Sequence, residues 1–237
     1  ELERRGVTTD GLLELPGRPT TRKTRVMAQN QQVLRLDSEE DGPVPATDAE
    51  RLVERVALAL DGARGLIVSD YAKGALDARS LPPILEAARR RGVPSVVDPK
   101  LRHFSQLRRA TVITPNQAET GAATARELQS DDDVLAAAGE LLERLEPEAI
   151  VVTRGEHGML LVARGSEPVW IPARAREVYD VTGAGDTVTA VLGVALASGL
   201  PLPDAARLAN AAASIAVGRL GTAAVSVAEL RVLLESP

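Results

Sequence analysis

The chain has 237 residues, 44% hydrophobic and 26% charged, enough for one sizeable α/β domain with a full core. A formal net charge of −5, with no strongly basic stretch, argues against nucleic acid or a membrane surface as partner. The absence of cysteine excludes disulfides and thiolate metal sites, and the two histidines, His103 and His157, are too few for a histidine metal cage.

The opening residues 1–6, ending Arg4-Arg5-Gly6, read as the last turn of a helix closed by glycine, so the natural protein is expected to begin earlier. Residues 20–37 carry two extended stretches, Thr24 to Met27 and Val33 to Leu36, with a turn expected at Asn30-Gln31; together they predict a β-hairpin. Asp48 is placed to cap a helix whose apolar residues Leu52, Val53, Val56 and Leu60 keep helical spacing. Then an alternation begins. Strands are expected at Leu66–Val68, Val93–Val97, Thr111–Thr114 and Ile150–Val152, with helices at Ser80–Arg91 and Asp133–Leu145 between them. Strands alternating with helices predict a doubly wound, mainly parallel sheet flanked by helices. Met159–Ala163 and Pro168–Ile171 suit two antiparallel edge strands turning at Gly165-Ser166. Ala-rich helices are expected at Val188–Ala197 and Leu202–Leu220, and a closing helix at Ser226–Leu234. No apolar run is long enough to span a bilayer and no signal peptide is visible, so a cytoplasmic protein is expected.

The most informative stretch is Asp180-Val181-Thr182-Gly183-Ala184-Gly185-Asp186-Thr187. Glycines let backbone N–H groups turn toward a common point, and a helix starting there adds unpaired N–H groups and the positive end of its dipole. Such a site takes an anion such as a phosphate, with Asp186 next to it to accept a proton from an attacking hydroxyl. A plain helix cap with an acidic first turn explains the same letters. Neither the dinucleotide fingerprint nor the GK[ST] phosphate loop is present, since Val188 stands where the third fingerprint glycine would be. Asp70, Asp98, Asn116 and Arg154 each lie just past an apolar strand, where open α/β sheets bind ligands; each is equally a cap for the next turn.

The glycine–aspartate run, its place before two Ala-rich helices, and Asn116-Gln117-Ala118-Glu119 together resemble the ribokinase-like (PfkB) family of carbohydrate kinases across nearly the whole chain. The stretches 30–37, Asp70 to Gly74, Val97 to Lys100, Glu177 to Asp180 and Val217 to Thr222 are closer still to the branch of that family that works in ADP-heptose biosynthesis. The resemblance implies ATP-dependent phosphorylation, with Mg²⁺, of the anomeric hydroxyl of D-glycero-D-manno-heptose 7-phosphate. It implies one kinase domain over residues 1–237, lacking its N-terminal segment, with the 20–37 hairpin as a small β lid over the sugar and as the contact of a homodimer. It implies Asp186 as catalytic base and Gly183, Ala184 and Gly185 as phosphoryl-binding amides. Asn116, Gln117, Ala118 and Glu119 would line the nucleotide phosphates, Glu119 would hold Mg²⁺ through water, and Thr153, Arg154 and Asn210 would lie near the nucleotide.

Of 28 basic residues only Lys23, Lys73 and Lys100 are lysines; Lys73 and Lys100 follow strand ends and suit a substrate phosphate, as does Arg35 on the hairpin. Solvated surface positions explain all three equally. Asn116 and Glu119 also have the spacing of a capping box. Tyr179 and Trp170 read as packing residues, and His157 as a turn residue within possible reach of the nucleotide. Kinases for other sugars, and a binding module without turnover, remain open alternatives.

Overall fold

The structure is a computed structural model that describes residues 2–28, 31–174, 179–219 and 221–235. Asn30, Glu177 and Leu220, named above, and Val178 of the stretch Glu177 to Asp180 lie outside the described residues.

Four short strands, β3 (Leu66–Ser69), β4 (Ser95–Asp98), β5 (Val112–Ile113) and β6 (Ala149–Thr153), run parallel. They continue into an antiparallel pair, β7 (Met159–Ala163) and β8 (Val169–Ile171), giving six strands in sequence order. The central strands are buried on both faces, with apolar middles Val96-Val97 and Ile150 to Val152, as expected of a sheet covered on both sides. The helices α2 (Leu81–Arg90), α3 (Gln117–Thr124) and α4 (Asp131–Leu145) follow β3 and β5 in sequence. One face of the sheet packs against α2 and α4, burying Leu81, Leu85, Leu141 and Leu145 with Ile113, Ile150 and Leu160. The other packs against α5 (Ala184–Ala197) and α6 (Leu202–Val217), burying Val188, Leu192 and Ala209 with Val96, Val112 and Val151. Burial of such a side chain contributes about 1.5–3 kcal/mol. Gly193 lets α5 lie close on the sheet, because a Cβ there would sit 2.7 Å from the Ile67 side chain.

The doubly wound, mainly parallel sheet is as the alternation predicts. Several boundaries move. Helix α1 spans Ala46–Ala59 behind Pro45, so Asp48 lies in its first turn, paired with Arg51, and is not its cap. Pro45 fixes an extended entry that starts the helix three residues early. Helix α4 begins at Asp131 because Ser130 and Asp133 form a capping box. Helix α5 begins at Ala184, so Gly185 and Asp186 belong to its first turn. The 3–5 turn is 3₁₀ rather than α, closed by Gly6 in the left-handed region. A closing helix, α7, spans Val227–Glu235.

The hairpin is real: β1 (Arg22–Ala28) pairs antiparallel with β2 (Gln31–Ser38), with a bulge at Val26/Met27. It forms its own two-stranded sheet. Val26, Met27, Val33, Leu34 and Leu36 are all exposed, so the hairpin projects two apolar-bearing faces into solvent.

Candidate active site

The carboxyl ends of β3 to β6 and the start of α5 meet around one cavity of about 260 Å³. Asp98, Lys100, Asn116, Glu119, Gly183 and Asp186 line it, with Tyr71 and Thr153. Residues separated by more than a hundred positions thus share one cleft, where doubly wound sheets bind ligands. Asp186 opens into the cleft that also holds Asn116, not into the core. Its Oδ1 accepts the Tyr71 hydroxyl at 3.2 Å.

Local chemistry sets each member. Gly183 precedes α5 at φ +82°, a conformation that a side chain rarely adopts. The Ala184 N–H is spent on the Val181 carbonyl at 3.2 Å. Those of Gly183, Gly185 and Asp186 make no hydrogen bond among the described residues and remain to serve an anion. At Gly185 a Cβ would meet nothing within 4 Å, so the helix start has open space before it. One turn on, the Thr189 hydroxyl meets that of Thr114 at 3.0 Å, which also donates to the Val97 carbonyl, pinning α5 to the strand ends.

Asn116 and Glu119 form the anticipated capping box at the start of α3, with bonds of 2.8 and 3.0 Å. The second Glu119 oxygen takes the Lys100 ammonium at 2.9 Å. Burial works against the Lys100 charge, but Glu119, Asp98 and Asp70 outweigh it and raise its pKa. Asp98 is pushed up to about 6 by burial; Lys100 opposes the shift, and the carboxylates of Glu119, Asp186 and Asp70 add to it. Among the described residues no three carboxylates or histidines converge to hold a metal ion by themselves. Asp98, Glu119 and Asp186 along one cleft nonetheless suit a cation that brings its own phosphate ligands, as Mg²⁺ does.

A second cavity, of about 460 Å³ and mostly apolar, adjoins the first through Thr153 and Gly185. Asn210, Ala213, Ser214 and Val217 form one wall along a single stripe of α6, and Gly155 and Gly158 lie opposite. A Cβ on Gly158 would strike the Ile171 carbonyl at 2.0 Å, so that turn requires glycine. The size and apolar lining suit a nucleoside. Asn210 is buried and donates to the Pro172 carbonyl at 2.8 Å.

Other expected residues stand elsewhere. Arg154 lines neither cavity; it is held by Gln117 and Asp131 and lies 4.9 Å over the Trp170 ring. Gln117 turns to Arg154 and to the Leu128 carbonyl, and Ala118 faces solvent. Lys73 pairs with Glu39 at 2.5 Å, and Arg35 pairs with Asp37 on the exposed hairpin at 3.0 Å, so neither reaches the cleft. His157 is exposed and lines neither cavity, though its neighbour Glu156 lines the larger one. Tyr179 is 64% exposed, not a packing residue, and Trp170 on the edge strand β8 is exposed too, its ring faced by Arg154. Tyr71 and the α6 stripe beyond Asn210 carry no role in the sequence reading, and Asp98 enters it only as a strand-end residue; the stripe is readable as i, i+3, i+4, i+7 spacing from Asn210.

A sheet of this topology, with a glycine helix start facing a capping-box glutamate across its carboxyl edge, defines a class. The profile described as pfkB family carbohydrate kinase matches residues 1–229, and the chain belongs to that family. It is similar to "Bifunctional protein HldE" of Geobacter sulfurreducens, 46% identical over 226 residues covering 95% of this chain and 46% of the relative. The protein of the same name from Alkalilimnicola ehrlichii is 53% identical over 221 residues, covering 93% and 45%. The chain thus spans about half the length of the curated relatives it matches. Among solved structures, Arabidopsis thaliana ribokinase complexed with ribose and ATP superposes with TM-score 0.75 at 21% identity, covering 98% of this chain and 74% of that one. Phosphofructokinase-2 from Escherichia coli with potassium gives 0.74 at 24% identity, covering 90% and 69%. These likenesses establish the ribokinase-like fold.

Proposed function

We propose that the chain is the kinase part of an enzyme that phosphorylates the anomeric hydroxyl of D-glycero-D-manno-heptose 7-phosphate, using ATP and Mg²⁺. The observation that carries the reading is the shared cleft lined by Asp186, Gly183, Gly185 and Glu119. Membership of the pfkB family and identity to HldE proteins over nearly the whole chain support it.

In this reading the apolar cavity beside α6 receives the nucleoside, and Thr153 and Gly185 mark the passage to the phosphate cleft. The N–H groups of Gly183 and Gly185 hold the transferring group by its equatorial oxygens, with no large side chain in the way. Lys100 neutralises charge next to it, and Glu119 with Asp98 supplies carboxylate oxygens to the hydration shell of the metal. Glu119 and Asp98 would be the residues beside a Mg²⁺ ion, which would supply positive charge against that developing on the phosphoryl oxygens. Asp186 takes the proton from the sugar hydroxyl as the new bond forms. Asn116 caps α3 and orients Glu119, while Arg154, Gln117 and Ala118 support that edge without entering the cleft.

The β1–β2 hairpin is read as the lid over the sugar. Its exposed apolar residues on both faces support pairing of two copies through it, which a molar-mass measurement by light scattering would check. Arg35 and Lys73 would reach the sugar's phosphate only if the lid changes its pairing with Asp37 and Glu39. Residues 1–237 are read as one kinase domain acting in the cytoplasm.

Asp186→Asn tests the reading. A general base contributes ~10²–10⁴-fold, so turnover falls by that order while nucleotide affinity and melting temperature stay nearly unchanged. Near-normal turnover, or ribose outcompeting the heptose phosphate in the unaltered enzyme, would overturn the assignment.

A further inference from the structure

The turn that follows β3, residues 70–74, is fixed from several sides. Asp70 is buried; its Oδ1 accepts the Ala72 N–H at 2.8 Å, and its Oδ2 lies 2.6 Å from Nδ1 of the buried His103. Ala72 sits at φ +53°, a left-handed conformation uncommon for alanine. The Arg18 guanidinium binds the Lys73 and Gly42 carbonyls, each at 2.7 Å. At Gly74, φ is +80°, and a Cβ would lie 1.8 Å from the Gly42 carbonyl oxygen. A backbone held this firmly in a sparsely populated conformation is a pointer to function.

What the turn presents is Tyr71. Its side chain is 60% exposed, so packing does not account for its place. Its hydroxyl donates to Asp186 Oδ1, and both residues line the phosphate cleft. A phenol on one carboxylate oxygen leaves the other, Oδ2, directed for a proton acceptor's work. The neighbouring Lys73 binds Glu39, which also binds Lys23 of β1, so the same turn touches the foot of the hairpin.

We propose that Tyr71 is a positioning residue for phosphoryl transfer: its hydroxyl holds Asp186 Oδ1 and thereby aims Oδ2 at the acceptor hydroxyl. This rests on the kinase reading above. In the step, the acceptor oxygen bonds to phosphorus and its proton passes to Asp186 Oδ2. The bond from phosphorus to the leaving nucleoside diphosphate breaks, and the diphosphate keeps the electron pair. Tyr71 neither gives nor takes a proton; it restricts the carboxylate's rotation, and misplacement of a reacting group is costly.

The test is a double-mutant cycle on the complete enzyme, with Tyr71→Phe made in the unaltered and the Asp186→Asn backgrounds. Loss of this one solvent-exposed hydrogen bond lowers kcat about three- to tenfold in the first, with KM for ATP unchanged. In the second background Tyr71→Phe has no further effect, because the residue acts only through Asp186. An unchanged kcat, an equal loss in both backgrounds, or a change confined to the sugar's KM each overturns the proposal. If no sugar phosphate turns over at all, the kinase reading fails, and crystal structures of the unaltered and Tyr71→Phe proteins still decide the role of Tyr71. A single Asp186 rotamer on the phenol that becomes several in the variant supports positioning; an identical carboxylate in both rejects it.

Discussion

The Lys100 ammonium lies 2.9 Å from a Glu119 oxygen, linking the segment after β4 to the first turn of α3. The other Glu119 oxygen is occupied by the Asn116 N–H, so one carboxylate caps a helix and anchors a cation at once. The pair is partly solvated, and its contribution to stability is modest, about 1 kcal/mol or less. Its value lies in placement: a fixed positive charge stands at the mouth of a cleft that otherwise holds Asp98, Glu119 and Asp186.

Lys100→Met should therefore affect binding of phosphates more than folding. The melting temperature should change by no more than a few degrees, because a methionine covers the same stem surface. KM for ATP should rise and kcat should fall, together costing about tenfold or more in kcat/KM. Steady-state kinetics with varied ATP checks this; a change in melting temperature with intact kinetics would make the pair a structural one.

Glu119→Gln separates cap from metal. Glutamine can still accept the Asn116 N–H, so α3 should keep its start and the protein its stability to within about 1 kcal/mol. The carboxylate's charge is lost, and Lys100 keeps a negative neighbour only in Asp98 and Asp70. The Mg²⁺ concentration giving half-maximal rate should rise several-fold. A Mg²⁺ titration superimposable on that of the unaltered enzyme would reduce Glu119 to a capping residue.

Much of the framework was legible because it is written locally. The order of strands and helices, the 3.6-residue stripe of α4 and the capping box at Asn116 depend on neighbours a few positions away; the box at Ser130 is as local but is not part of the sequence reading, so α4 starts two residues before its expected place. Of the four strand-end residues, Asp98 and Asn116 do share the cleft, since a parallel sheet brings its carboxyl ends to one edge, while Asp70 is held by His103 and Arg154 by Asp131. Pairings across the fold were not legible. Asp70 meets His103 across 33 positions, and Tyr71 meets Asp186 across 115, and no local periodicity encodes either. Lys73 and Arg35 were misjudged too. Glu39, the partner of Lys73, comes near only when the segment after β2 lies beside the 70–74 turn, whereas Arg35 pairs with Asp37 two positions along its own strand.

Gly185→Ala should uncouple folding from activity. The residue lies in the first turn of α5, outside the left-handed region, and its added Cβ would meet no protein atom within 4 Å. Alanine is the better helix former by up to about 1 kcal/mol, so stability should hold or rise. The methyl group nonetheless enters the space where both cavities join. Turnover should fall by at least an order of magnitude if phosphoryl oxygens approach that amide. Thermal melts alongside kcat measure both sides, and a fully active variant would move the anion site away from Gly185.

Asp98 supplies the pH prediction. Its carboxyl, ordinarily near 3.8, is raised to about 6, chiefly by burial. Below the lower value both folded and unfolded chains are protonated there, and Asp98 imposes no penalty. As pH rises from about 4 to about 6, the unfolded chain ionises first, so the folded state loses stability relative to it. Above about 6 the full cost applies, up to roughly 3 kcal/mol before solvent screening reduces it. Asp98→Asn cannot ionise and should escape that cost. In the ligand-free protein the variant should match the unaltered chain near pH 4 and be the more stable by pH 7, with the gap opening between them. Chemical denaturation at several pH values measures the gap directly, and a gap that stays constant from pH 4 to 7 would show that Asp98 does not titrate in that window. Such a stability gain, if accompanied by loss of turnover, would mark Asp98 as a charge that the cleft keeps for its ligand at the expense of the fold.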